Sequence, residues 1–126
     1  MTSDVDDATT RPVVLVVQDE PILAMVMSDF VEEAGCQAVV ATSTASAIQI
    51  LEARADIHVV FADLDVRGSV MGLTLMAMIR DRWPPIELVM TGALRPDVAR
   101  IPARGIFCDK PFRGDRVVEA VRKFAA

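Results

Sequence analysis

"VVFADLDVRGSVMG", residues 59–72, runs four apolar residues straight into two carboxylates one residue apart, Asp63 and Asp65, and then into a glycine-bracketed loop. A continuous apolar run of this kind is expected of a strand covered on both faces, which is the condition of strands in parallel sheets. The segments around it repeat the pattern. "PVVLVV" (12–17) and "QAVVAT" (37–42) precede "IHVVFA" (57–62), and "PPIELVM" (84–90) and "GIFC" (105–108) follow. Between them lie helical periods. One starts at Pro21, a favoured first-turn residue, and carries an apolar stripe of Ile22, Leu23, Val26, Met27, Phe30, Val31 and Ala34 before Gly35 stops it. A second is capped by Ser43 or Thr44 and turns Ala47, Ile48 and Leu51 inward; a third spans residues 73 to 82. Pro96 to Ala99 leave room only for a short helix, and Val117, Val121 and Phe124 mark a last one from Gly114. Five β-α pairs predict an α/β fold with a parallel sheet, right-handed crossovers and helices on both faces.

The bounds agree with one such domain. The chain has 126 residues, 52% of them apolar, enough for a single sizeable core. A formal charge of −5 and a pI near 4.7 argue against a nucleic-acid or membrane-surface binder, and no apolar run has the length of a membrane span. Asp4, Asp6 and Asp7 stand where a secretory signal would carry positive charge, so the expected location is the cytoplasm. Residues 1–12 read as a disordered tail and 13–126 as the domain. Cys36 and Cys108 lack metal or redox spacing and read as reduced, buried thiols.

In a sheet of this kind the functional residues gather at the carboxyl ends of the strands, where strand order reverses. Those ends hold Gln18, Asp19 and Glu20 after the first strand, Asp63 and Asp65 after the third, Thr91 and Gly92 after the fourth, and Asp109, Lys110 and Pro111 after the fifth. Carboxylates gathered together repel one another, and a hard divalent cation with oxygen ligands relieves that repulsion. A lysine and a threonine hydroxyl suit phosphoryl oxygens. The set is equipment for moving a phosphoryl group onto an aspartate.

With "VVLVVQDEP", "VVFADLDVRGSVMG", "LVMTG" and "FCDKPF" in that order at strand ends, the chain resembles a two-component response-regulator receiver domain over residues 13 to 125. The resemblance implies a flavodoxin-like (βα)5 fold of strand order 2-1-3-4-5. It also implies a phosphorelay module standing alone and serving as no enzyme beyond its own aspartyl phosphorylation and dephosphorylation. Asp63 matches the phospho-acceptor; Asp19 and the backbone carbonyl of Asp65 match ligands of Mg2+ (or Mn2+), with Gln18 acting through a water. Thr91 and Lys110 match the groups that follow and pair with the phosphoryl group, Phe107 the aromatic of the switch, and Pro111 a cis proline. The implied partners are a sensor histidine kinase or histidine phosphotransfer protein upstream, and a protein target or second copy downstream.

Two positions depart from that pattern. Gln18 replaces an acid and brings no charge, which predicts weaker metal binding; Glu20 is a candidate substitute. Arg67 replaces a loop-stiffening proline. Plain readings stand beside these: Asp65 as a solvated loop acid, Glu20 as a first-turn acid favoured by the helix dipole, His58 as a strand residue, and Trp83 as a cap on the sheet edge. The rival functions are a degenerate receiver that binds partners without phosphorylation, a haloacid-dehalogenase-type phosphatase through the Asp-x-Asp pair of Asp63 and Asp65 on an apolar strand, and a flavodoxin-like electron carrier, whose phosphate Asp19 and Glu20 would repel. Charge is unevenly spread: residues 1–94 hold 5 of the 13 Lys and Arg and 14 of the 18 Asp and Glu, whereas residues 95–126 hold 8 and 4. The basic end is the expected output face.

Overall fold

The computed structural model describes residues 11–65, 72–92, 96, 98–109 and 114–125. The expected tail falls almost wholly outside them, although the Pro12 carbonyl already accepts from the Gln37 N–H at 2.8 Å. The strands are β1 (Val13–Val17), β2 (Gln37–Ala41), β3 (Ile57–Asp63), β4 (Glu87–Gly92) and β5 (Ile106–Asp109), and the helices α1 (Pro21–Glu33), α2 (Thr44–Ala53), α3 (Gly72–Arg82) and α4 (Gly114–Ala125). A 3-10 turn, Val98–Arg100, occupies the place of the short helix expected at Pro96–Ala99. The strands form one parallel sheet in the order β2-β1-β3-β4-β5. This is the predicted flavodoxin-like arrangement. Among the described residues no helix is long and apolar enough to cross a membrane.

Strand alternation divides the core into two layers. Val13, Leu15 and Val17 of β1, Val60 and Ala62 of β3 and Leu88 and Met90 of β4 meet Ala47 and Leu51 of α2 and Leu75, Met76 and Ile79 of α3. On the other face Val14, Val16, Val59, Phe61 and Val89 meet Met27 and Val31 of α1 and Val117, Val118 and Val121 of α4. Ile57 sides with Val60 although three positions separate them. The register of β1 on β3 skips from Val13↔Ile57 to Val14↔Val59, so His58 is the extra residue of a bulge and points outward. Its ring lies at the far end of β3 from Asp63.

The helix ends follow local chemistry. Ser43 and Ser46 form a reciprocal capping box at α2. Pro21 opens α1, and Gly35, at φ +87°, takes the left-handed position beyond its end. One part of the predicted α1 stripe is wrong: Ile22 is 79% exposed, because the row that faces the core is Ala24, Met27 and Val31. Trp83 is half-buried against the core with the Arg82 guanidinium 4.4 Å above its ring, and both cysteines are buried and in no disulfide. Burial pushes the Cys36 thiol pKa up, which keeps it in its inert form.

Arg80 and Arg104 tie down the turn that delivers β5. Arg80 donates to the Ala103, Pro84 and Ile86 carbonyls at 3.0, 2.8 and 2.6 Å, and Arg104 to Glu87 and the Pro84 carbonyl at 3.1 and 2.6 Å. Arg104 sits at φ +66°, a conformation that side chains other than glycine adopt at some cost. At the other end of the sheet, α3 is seated by a glycine: a Cβ on Gly72 would lie 2.7 Å from the Leu64 Cα and 2.9 Å from its carbonyl oxygen. Those are backbone atoms next to Asp63, and they cannot swing aside as a side-chain tip does. Gly72→Ala should therefore lower the free energy of unfolding by about 1–3 kcal/mol, read from urea denaturation; an unchanged midpoint would show that the Leu64 backbone yields.

Candidate functional site

The order β2-β1-β3 makes the carboxyl ends of β1 and β3 the point where strand order reverses. The layer facing α1 and α4 continues there in polar residues: Val14 and Val16 lead to Gln18, Phe61 to Asp63, and Val89 to Thr91. Gln18 extends the ladder, its N–H donating to the Ala41 carbonyl at 3.0 Å, and Asp63 is in register with Thr91. Gln18, Asp63 and Thr91 are only 2%, 3% and 0% exposed. Three neighbouring strands thus end in a buried polar row.

A carboxylate in such a place needs donors. The Gln18 Nε2 donates to Asp63 Oδ2 at 2.5 Å, and the Asp65 N–H donates to Asp63 Oδ1 at 2.8 Å. Both oxygens are held, so the plane of the carboxyl group is fixed. The Leu64 N–H, between them, donates to the Thr91 carbonyl at 2.7 Å and carries the β3–β4 ladder one residue past Asp63. Gln18 is itself oriented: its Oε1 accepts from the Glu20 N–H at 3.0 Å, and its Nε2 also lies 3.6 Å from Met27 Sδ. The Thr91 hydroxyl is buried with no hydrogen-bond partner among the described residues. An orphaned hydroxyl beside a pinned carboxylate is costly unless something else comes to fill the site.

The remaining expected residues fall as follows. Asp19 and Glu20 are exposed at the head of α1, and Asp65 is exposed beyond Asp63. Phe107 is buried, inside the layer facing α2 and α3. A Cβ on Gly92 would meet only ordinary contacts, among them Asp65 Oδ1 at 3.5 Å and Phe107 Cε2 at 3.7 Å. Arg67, Lys110 and Pro111 lie outside the described residues. Four contributors went unforeseen: Met27, the main-chain N–H groups of Asp65 and Leu64, and Gly72. Only Gly72 left a sequence signal, as the last residue of the quoted stretch.

Among the described residues no three acidic, histidine or cysteine side chains come together as a metal-holding group. A hard cation takes one or two carboxylates and keeps its waters, and the expected ligands, the Asp63 and Asp19 carboxylates and the Asp65 carbonyl, are oxygens of the kind it prefers. Gln18, expected to help through a water, instead has its amide engaged by Asp63 and the Glu20 N–H.

Comparison with known proteins agrees with this geometry. The chain is 32% identical over 111 residues to the nitrogen assimilation regulatory protein NtrX of Azorhizobium caulinodans, covering 83% of this chain and about a quarter (24%) of that one's length. Its fold is similar to that of a response regulator receiver protein of Sinorhizobium medicae WSM419 (TM-score 0.84, 22% identity, 93% of this chain and 96% of that chain). It is also similar to the receiver domain of NtrX from Brucella abortus (TM-score 0.73, 25% identity, 87% and 98%). The model of the response regulator receiver domain matches residues 14–122, from β1 into α4. A buried aspartate pinned at the switch point of a 2-1-3-4-5 sheet, in a chain matched along nearly its whole length, therefore belongs to the response regulator receiver domain family of two-component signalling proteins.

Proposed function

We propose that this chain accepts a phosphoryl group on Asp63 from a phosphohistidine of a sensor kinase or histidine phosphotransfer protein, and passes the signal on through a changed protein-binding surface. The observation that carries this reading is the pairing, in register, of the pinned Asp63 carboxylate with the unpartnered Thr91 hydroxyl. In the transfer the carboxylate forms the new P–O bond as the P–N bond to the imidazole breaks, and the ring leaves with a proton. Donors from Gln18 and Asp65 align the nucleophile, which is most of what such a transfer asks of a protein.

Thr91 supplies a hydroxyl for one phosphoryl oxygen and Lys110 a positive charge for another. Asp19, Asp63 and the carbonyl of Asp65 would hold Mg2+ or Mn2+, whose charge offsets repulsion between the carboxylate and the incoming phosphoryl oxygens. Thr91 moving toward that group, with Phe107 filling the space beside it, is the switch; Glu20, Gly92, Arg67 and Pro111 are the proposed auxiliary residues. Cys36 and Cys108, buried and joined in no disulfide, support a cytoplasmic setting. A second reading, a degenerate receiver that binds partners without phosphorylation, draws on Gln18 in place of an acid.

Mass spectrometry after treatment with acetyl phosphate and magnesium separates the two. The chain should gain a phosphoryl mass, Asp63→Asn should gain none, and Asp65→Asn should still gain it. Labelling that survives in Asp63→Asn but is lost in Asp65→Asn would overturn the assignment, and no labelling of the unmodified chain would favour the degenerate reading.

The proposed output face lies in residues 95–126. Arg100, Arg116 and Lys123 are exposed there, whereas Arg104 is engaged by Glu87 and Arg122 by the Glu33 carbonyl. A face with that surplus fits an acidic partner or the acid-rich side of a second copy. Phosphorylation-enhanced association should weaken as salt shortens the Debye length below about 10 Å, and Arg100→Glu with Arg116→Glu should abolish it while Asp63 is still phosphorylated. Unchanged association in that double variant would remove this face as the output surface.

A further inference from the structure

The Gln18 amide does more than omit a charge. Its direction is decided by its surroundings: Oε1 accepts the Glu20 N–H at 3.0 Å, so the NH2 end must face Asp63, where it donates to Oδ2 at 2.5 Å. An NH2 group has hydrogens and no lone pair to offer a cation. Its partial positive charge stands on the very carboxylate oxygen that a cation would want. The contact is buried, Gln18 at 2% and Asp63 at 3% exposure, so water screens it little and the hydrogen bond to a carboxylate is of the strong class. The side chain is further wedged by the Met27 Sδ at 3.6 Å. Oδ1 is meanwhile held by the Asp65 N–H, which stops the carboxylate from rotating to offer a different face.

We propose that the Gln18 carboxamide is a resident plug on Asp63, competing with a divalent cation for Oδ2, so that metal enters only as the amide lets go. This rests on the reading of Asp63 as a phospho-acceptor and adds a gate to it. Removal of the amide should then raise metal affinity even though no charge is added. A site that is weak only because it lacks a charge behaves in the opposite way.

The test is a magnesium titration of the full chain followed by amide chemical shifts, with no phosphodonor present. Gln18→Met keeps the length of the side chain and its packing on Met27 but loses the donor; Gln18→Ala serves the same comparison if methionine unfolds the protein. Magnesium should bind about tenfold more tightly to either variant than to the unmodified chain, the equivalent of one charge-assisted hydrogen bond. The rise in melting temperature on adding magnesium should be larger as well. Gln18→Glu, which replaces the NH2 with an acid oxygen, should also bind more tightly. If Gln18→Glu tightens while Gln18→Met and Gln18→Ala bind no better than the unmodified chain, the missing charge is the whole effect and the plug is refuted; undetectable binding in all four proteins refutes it too. The titration needs no phosphoryl transfer, so its failure is distinct from failure of Asp63 to be labelled.

Discussion

A carboxyl group at the end of a buried strand has to be held from outside its own strand, and the pinning of Asp63 by Gln18 and by the Asp65 N–H is the constraint on which the site depends. It requires β1 and β3 to be neighbours with their carboxyl ends level. The β2-β1-β3 order and a register running from Val14↔Val59 to Val17↔Ala62 provide that. The bulge at His58 puts Asp63 on the same face as Gln18 and Thr91; without the extra residue every side chain from Val59 onward would face the other layer. Gly72 then lets α3 approach the Leu64 backbone beside the strand end.

Much of this was legible in the sequence because strands buried on both faces leave unbroken apolar runs, and polar residues that end such runs stand out. The five strands, their parallel order and the convergence of Gln18, Asp63 and Thr91 all follow from that contrast. Single positions were harder. Ile22 fits a helical stripe yet is 79% exposed, since periodicity fixes direction around the helix but says nothing of which turns a partner covers. The bulge at His58 leaves no composition signal. Which end of the Gln18 amide faces Asp63 depends on a hydrogen bond to the Glu20 main chain, and main-chain donors are the same whatever the residue type.

Membership of the receiver family explains the equipment, and this chain's own residues explain how it is set. The fold is shared with solved receivers that are only 20–25% identical, so it tolerates wide replacement. In this chain a neutral amide, that of Gln18, touches the buried Asp63 carboxylate. At rest the site holds a buried carboxylate that takes hydrogen bonds from the Gln18 amide and the Asp65 N–H, and a threonine hydroxyl with no partner among the described residues. On the proposed reading a phosphoryl group would give that hydroxyl an oxygen to bond, and the stability withheld at rest would favour the phosphorylated state.

That account is tested most directly at Thr91, whose orphaned hydroxyl should cost stability at rest and return it on phosphorylation. Urea denaturation of the unmodified chain and of Thr91→Val, each with and without beryllofluoride and magnesium as a phosphoryl mimic on Asp63, compares the two states. The account predicts that Thr91→Val is more stable at rest by about 1–2 kcal/mol, an unsatisfied buried hydroxyl having been removed, and that the mimic stabilises it much less than it stabilises the unmodified chain. A variant that is less stable at rest and gains as much from the mimic would contradict it.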